Sequence, residues 1–334
     1  MACFLRGDTG ENFKVRAYES LARRARHWAD RIVCLSHTQA AGLPESLQAK
    51  VRIVVNAIEP WIGLERGQAR LELAGLLGAE LGTAPLVAMA GRLSPEKGAS
   101  LFLQMAARLH AAVPQARFLV LGDGAMRSQL LAEAQGLGLD AWVHWAGHVA
   151  DWTRWLAGVD LVVNPSWREQ APNVVLEAMA AGRPVLATRV GAVEEIGAGT
   201  IATVVPGDAV GLAAAAADVL RRPEYAADLG ARARQRVQQQ YSLLRQQEQL
   251  QALVAEFLPA ALPASVPAWP SVSVVLPVRR EAAHLSHVLE QLLRQDYPVA
   301  QLELLVADGG CDEADDGTTR LAQDYARRFP GRVC

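Results

Sequence analysis

Lysine is nearly missing from this chain. Among 33 basic residues it occurs only at positions 14, 50 and 97, and arginine supplies the rest. A compositional bias toward arginine accounts for the rarity, which makes Lys97, flanked by glycine, worth noting. Cysteine is also sparse. Cys3, Cys34, Cys311 and Cys334 stand far apart without metal-type spacing, which excludes a cysteine-based zinc module or a disulfide scaffold and fits a reducing cytoplasm. No apolar run reaches the roughly 18–20 residues of a membrane span. Met1–Arg6 lacks the apolar centre of a signal peptide. The net charge of −2 gives no bulk attraction to nucleic acid, so no nucleic-acid partner is expected. No serine–histidine–acid arrangement stands out. What the chain does have is apolar material: 334 residues, 51% hydrophobic, enough for two domains with large cores.

Residues 13–31 read as a basic amphipathic helix, with Lys14, Arg16, Arg23, Arg24, Arg26 and Arg31 on its polar side. A solvated face is its ordinary reading, and contact with anionic lipid on the inner face of the membrane is the alternative. A strand at 32–35 leads to Ser36, a helix cap, and a short helix; a second strand covers 51–55 and ends in a turn at Asn56-Ala57. From residue 85, strands at 86–90, 116–121, 142–145, 161–164, 185–188 and 201–205 alternate with helices at 98–110, 125–135, 152–157 and 174–181. Continuous apolar strands alternating with helices predict an α/β fold: a Rossmann-like parallel sheet with helices on both faces. Ligands of such sheets sit at the carboxyl ends of the strands. Helices follow at 210–221 and 224–257.

Residues 259–270 are rich in proline and alanine and form a stiff linker. Beyond it, a strand at 272–277, a helix at 284–295 and a strand at 302–307 running into Asp308-Gly309-Gly310 open a second α/β unit.

The most informative stretch is Ser166-Trp167-Arg168-Glu169-Gln170-Ala171-Pro172-Asn173-Val174-Val175-Leu176-Glu177. Two glutamates lie eight positions apart, one in a loop after an apolar strand and one inside a helix starting near Pro172. A helix start carries free N–H groups and a positive dipole end, and can hold a phosphate. Acids on either side can grip hydroxyls. That layout suits a nucleotide-sugar, with diphosphate in the middle, ribose on one flank and sugar on the other. Upstream, Gly91-Arg92 and Lys97-Gly98 bracket a second loop.

In these motifs the chain resembles the family-4 retaining glycosyltransferases of the GT-B fold, over roughly residues 29–257. The resemblance implies these roles. Glu177 accepts the ribose hydroxyls, and Glu169 contacts the transferred sugar near the reacting carbon. Arg92 and Lys97 neutralise the diphosphate as it leaves. Pro172, Asn173, Val174 and Val175 start the helix and offer backbone N–H groups to phosphate. Gly122 and Gly124 line the nucleotide pocket, and His148 and Val149 read the base edge. Gln170 stands where the family carries glycine, and Ala57 stands where it carries the glycine of an Asn-Gly turn, which predicts backbone strain there. Trp142, Trp145, Trp152 and Trp155 read mainly as packing residues.

The implied donor is a UDP- or GDP-sugar, with no cofactor or metal required in this module. The acceptor is a saccharide or a lipid-linked saccharide, and the expected setting is cell-surface polysaccharide or glycoconjugate synthesis. The implied domains are 1–60, the remainder of an acceptor domain; 61–258, the donor domain; 259–270, the linker; and 271–334, which resembles the opening of a family-2, GT-A transferase with Asp308 as a nucleotide contact. The chain thus reads as a piece of a longer two-module protein, and on its own is expected to turn over poorly. A non-catalytic nucleotide-sugar-binding module and a GT-B nucleotide-sugar epimerase are the rival readings.

Overall fold

The computed structural model describes residues 2–5, 20, 23–24, 26–78, 80–257, 272–278, 282–295, 301–308 and 317–329. Most of the basic helix expected at 13–31 and all of the linker lie outside these residues. The chain divides into two compact units, Met1–Glu256 and Phe257–Cys334.

The first unit opens with a small parallel sheet in the order β1 (Ala2–Phe4), β2 (Arg31–Cys34), β3 (Val51–Ile53). Between β2 and β3 run two short helices, α1 (His37–Ala41) and α2 (Glu45–Gln48). Ser36 caps α1 as its sequence suggests: its side chain accepts a hydrogen bond from the Gln39 N–H. A second acceptor comes from far along the chain, because the Glu195 carboxylate takes the N–H groups of His37 and Thr38 at 2.9 and 2.8 Å. Ala57 shows no strain. Among the described residues Ala198 alone, outside glycine, has a positive φ, so the turn after β3 is built from ordinary backbone.

Helix α3 (Arg66–Leu77) then leads into the large sheet. Its strands are β4 (Leu86–Ala90), β5 (Arg117–Leu121), β6 (Val143–Gly147), β7 (Leu161–Asn164), β8 (Val185–Thr188) and β9 (Ala202–Val204). All are parallel, in the order β6-β5-β4-β7-β8-β9. The connecting helices are α4 (Ala99–Ala112), α5 (Arg127–Gly136), α6 (Asn173–Ala180), α7 (Val193–Gly197), α8 (Ala209–Arg221), α9 (Pro223–Gln240) and α10 (Leu243–Ala255), with a 3-10 helix at Trp152–Gly158. Successive strand residues feed opposite faces. Val87, Met89, Phe118, Val120, Leu161 and Val163 join one core with α4, α5 and α8. Leu86, Ala88, Leu119, Leu121, Val162 and Val185 join the other with α3, α6 and α9. Burial on both faces is why these strands read as unbroken apolar runs. Sequence pattern misses α3, whose two internal glycines blur its period, and α7, which is too short to show one.

Helix α10 returns to the small sheet. Val33, Val54 and Leu253 form a shared core, and the Gln246 and Gln249 side chains bond the backbone of Val55 at 2.7 and 3.0 Å. At its end, the surface carboxylate of Glu256 pairs with Arg31 of β2 and Arg52 of β3.

The second unit pairs β10 (Val272–Val278) with β11 (Leu302–Asp308) in parallel, from Val272 opposite Leu302 to Val278 opposite Asp308. Helices α11 (Ala282–Leu293) and α12 (Thr318–Arg328) cover it through Leu285, Leu289 and Tyr325. Asp308 is the last residue of β11; Gly309 and Gly310 lie outside the described residues.

Hydrogen bonds from Arg52 and Arg31 hold the Glu256 carboxyl down to about 2, against an ordinary 4.5. A lowered acid stabilises the fold above its unfolded value and stops doing so as pH falls through its folded value. The parent therefore loses this contribution between about pH 4.5 and 2, and Glu256→Gln shows a flatter acid limb over that window in urea titrations.

Candidate functional site

The order of the large sheet reverses between β4 and β7. From β4 the chain winds outward to β5 and β6; it then returns to β7 and winds the other way. The loops leaving β4 and β7 must therefore diverge, and a crevice opens at the carboxyl ends of these two strands. The β4 loop carries Arg92, Glu96 and Lys97. The β7 loop carries Ser166, Trp167, Arg168 and Glu169.

The loops are joined at their bases by close backbone contact. Gly98 has φ +69°, and a Cβ on it would stand 2.1 Å from the Pro165 carbonyl oxygen, so only glycine fits. Trp167 and Arg168 donate their N–H groups to the Glu96 carbonyl at 2.8 and 3.3 Å. Above these bonds Lys97 Nζ lies 2.7 Å from Glu169 Oε1, a contact spanning 72 positions of sequence. The Glu169 side chain is 8% exposed and that of Lys97 30%. The adjacent Glu96 is not the partner of Lys97 here. Its carboxylate accepts the Ser94 hydroxyl at 2.5 Å. Burial alone would raise its pKa, but Ser94, its own backbone N–H, Arg92 and Lys97 together hold it below the ordinary value.

Helix α6 begins beside this pair. Pro172 is its N-cap, one position earlier than a first helical residue, and makes no side-chain cap bond. The N–H of Val175 turns inward to the Pro172 carbonyl at 3.2 Å, which removes Val175 from the expected set of donors. Those of Asn173 and Val174 carry no backbone bond among the described residues, as expected at a helix start. From the other wall, Asn56 in the turn after β3 donates its side-chain N–H groups to the Ala171 carbonyl at 3.1 Å and to Asn173 Oδ1 at 3.0 Å.

Together these elements enclose a cleft of about 1120 Å³. Arg92, Glu96, Lys97, Glu169, Gln170, Pro172, Asn173 and Val174 line its large-sheet wall. Leu5, Leu35, Val54, Asn56, Gln246 and Leu250 line the facing one. Trp167, half exposed, stands at its rim.

Glu177 lies four residues beyond Asn173 in α6 and is not among the residues that line this cleft. Burial pushes its carboxyl above the ordinary value, against the pull of a hydrogen bond from the Trp152 side chain. Gly122 and Gly124 also stand outside the lining. Gly122 has φ +134°, and a Cβ there would meet the Gly91 carbonyl oxygen at 1.9 Å; one on Gly124 would meet that of Leu93 at 2.5 Å. Their small size admits the neighbouring loop. The Leu93 N–H bonds the Asp123 carbonyl at 2.9 Å across this contact. His148 is exposed and Val149 half-buried just beyond β6, away from the lining. Trp155 donates to Glu72 at 2.8 Å and Trp142 packs against His110 at a tilt of 40° with ring centroids 4.1 Å apart, so both are packing residues.

Sequence reasoning gives no role to three residues of the site. Asn56 is visible only as a turn former. Ser166 opens the motif segment and Asn164 ends the strand before it, but their burial, 1% and 4% exposed, is a property of the fold. Ser166 Oγ stands 2.8 Å from both Glu169 Oε1 and Asn164 Oδ1. Among the described residues no group of three or more His, Cys, Asp or Glu side chains is gathered as a metal site, and no helix is long and apolar enough to cross a membrane.

Residues 84–222 match the family described as "Glycosyl transferases group 1". Over 79 residues the chain is 40% identical to the lipopolysaccharide core biosynthesis glycosyltransferase LpsE of Rhizobium meliloti, covering 24% of this chain and 23% of that protein. Over 130 residues it is 33% identical to N-acetyl-alpha-D-glucosaminyl L-malate synthase of Bacillus anthracis, covering 38% and 34%. The chain thus spans about a quarter to a third of these curated relatives. Among solved structures, Anabaena Alr3699/HepE in complex with UDP superposes with a TM-score of 0.66 at 22% identity, over 76% of this chain and 72% of that one. Sucrose-phosphate synthase from Thermosynechococcus elongatus gives 0.65 at 23% identity, over 77% and 65%. These likenesses establish the fold, the parallel sheet with flanking helices of GT-B glycosyltransferases.

Because its Cβ would strike backbone that is itself hydrogen-bonded, Gly122→Ala combines backbone strain with overpacking. It should lower stability by about 3 kcal/mol or more in thermal denaturation.

Proposed function

We propose that the large-sheet part of the first unit is the donor-binding domain of a family-4 glycosyltransferase. It moves a sugar from a UDP- or GDP-sugar to an acceptor hydroxyl with retention of configuration. The observation that carries this reading is the meeting of Lys97, Glu169 and the α6 start at the switch point between β4 and β7. A diphosphate seated there faces Lys97, Arg92 and the N–H groups of Asn173 and Val174. The sugar then reaches Glu169, while the ribose points along α6 toward Glu177. The bond from the anomeric carbon to phosphate breaks as the bond to the acceptor oxygen forms on the same face. The acceptor proton passes to the departing phosphate oxygen. Positioning and the cations facing the growing phosphate charge supply the catalysis.

The complexes of Alr3699/HepE with UDP and with UDP-glucose support a nucleotide-sugar ligand and lean the choice toward uridine. The names of the curated relatives support polysaccharide or glycoconjugate synthesis. The small sheet is the remainder of an acceptor domain, residues 61–258 are the donor domain, and the second unit opens a GT-A module. The acceptor is a saccharide, free or lipid-linked, handled in the cytoplasm or at the inner face of the membrane.

Titration calorimetry of the chain with UDP and GDP checks the core of this reading. Binding should persist in EDTA, because protein cations supply the positive charge; loss of binding in EDTA would overturn it. Glu177→Ala should weaken binding about ten- to a hundredfold, the cost of losing a buried hydrogen bond to a charged group. The ionised carboxylate is the form that accepts ribose hydroxyls, and burial raises its pKa. Affinity should therefore fall as pH drops toward a midpoint above the usual glutamate value, and Glu177→Gln should remove that dependence.

A further inference from the structure

The cleft holds one contradiction. A diphosphate needs positive charge, yet the cation on its floor, Lys97, is already paired with Glu169, a largely buried carboxylate whose charge repels phosphate. Three features make this pairing exchangeable. First, Lys97 is the more exposed partner, and its stem runs beside the open backbone of Gly91; a Cβ there would still be 3.9 Å from Lys97 Cδ. Second, Glu169 Oε1 has another donor, Ser166 Oγ at 2.8 Å, and that hydroxyl is fixed from below. The Ser166 carbonyl accepts the buried Thr188 hydroxyl at 2.5 Å, and Asn164 sits against Ser166 Oγ at 2.8 Å. Third, the buried Asn164 Nδ2 has no hydrogen-bond partner among the described residues. Rotating the amide by half a turn lets Asn164 donate to Ser166 Oγ, which commits the single hydroxyl proton of Ser166 to Glu169. A carboxylate held in this way keeps its place when its cation leaves.

We propose that Lys97 serves two anions in turn: Glu169 in the empty cleft and the diphosphate in the filled one, with Ser166 as the positioning residue that holds Glu169 during the exchange. The proposal rests on the donor-site reading above. After transfer, Glu169 competes for Lys97 again and loosens the grip on the nucleotide product. The carboxylate that contacts the sugar thus opposes binding of the nucleotide alone.

The test is calorimetry on the full chain with UDP, GDP and inorganic pyrophosphate, using the isosteric Glu169→Gln. Removing the competing charge should tighten binding of the nucleoside diphosphate and of pyrophosphate by about tenfold. Ser166→Ala should weaken UDP binding in the parent, because Glu169 then keeps only Lys97, and should have no effect in the Glu169→Gln background. A purely structural serine would cost the same in both backgrounds. Should Glu169→Gln fold poorly, as judged by its melting transition, the salt dependence of UDP binding in Ser166→Ala decides instead: a shallower dependence than the parent's, because Lys97 stays with Glu169, supports the exchange, and an equal or steeper one overturns it. Unchanged or weaker binding by a folded Glu169→Gln, or additive effects of the two substitutions, overturns the proposal and leaves the donor site standing. Failure of the parent to bind any of the three ligands overturns the donor-site reading and the exchange with it.

Discussion

The reversal of strand order between β4 and β7 is the constraint on which the rest of the first unit depends. A parallel sheet that wound in one direction only would stack its loops on one another and leave no opening. Here two loops separate at one edge, and each is held by its neighbour: the β4 loop against the Gly122 turn, and the base of the β7 loop against Gly98. The separation is rigid because the contacts are between backbones. Side chains that project into the opening have fixed roots, which is what lets Lys97 and Glu169, far apart in sequence, share a hydrogen bond.

Much of this was legible beforehand, for a physical reason. Strands buried on both faces carry unbroken apolar runs, so β7 and β8 could be placed to the residue from composition alone, and the helices between them follow from period. Glu169, Lys97 and the α6 start were singled out by a family pattern of loop and helix-start residues after strands, and the fold brings all three to one cleft. Their joining was not legible. Nothing in a linear sequence says that Lys97 reaches Glu169 rather than Glu96, since that depends on which strands are neighbours. Gly122 and Gly124 show the same limit. Glycine announces a close approach, but the sequence does not say whether a ligand or another loop approaches. For Ala57 the expectation of strain came from the residue usual at that position, and the turn takes a different path.

The facing wall depends on different forces. The small sheet has only a modest core of its own, made by Leu5, Ala29, Ile32, Cys34, Ala40 and Leu47. Its buried set is supplemented by Leu253 of α10 and by polar contacts that cross from the large layer: Asn56 with the α6 start, Gln246 and Gln249 with Val55, and Glu195 with α1. Most of these are single hydrogen bonds of modest individual worth. They fix the width of the cleft by number rather than by strength.

The Glu195 cap carries a consequence for the order in which the molecule is made. Helix α1 has five residues, far below the length at which a helix persists unaided in water. One of its two caps arrives 158 positions later. During synthesis from the amino end, α1 and the sheet it covers are therefore finished only after the strands up to β8 and helix α7 have emerged. This layer is completed after the large sheet although it precedes that sheet in the chain. A ribosome-bound chain ending before α7 would carry that layer incomplete, with the apolar sides of β2 and β3 open to whatever chaperone attends it.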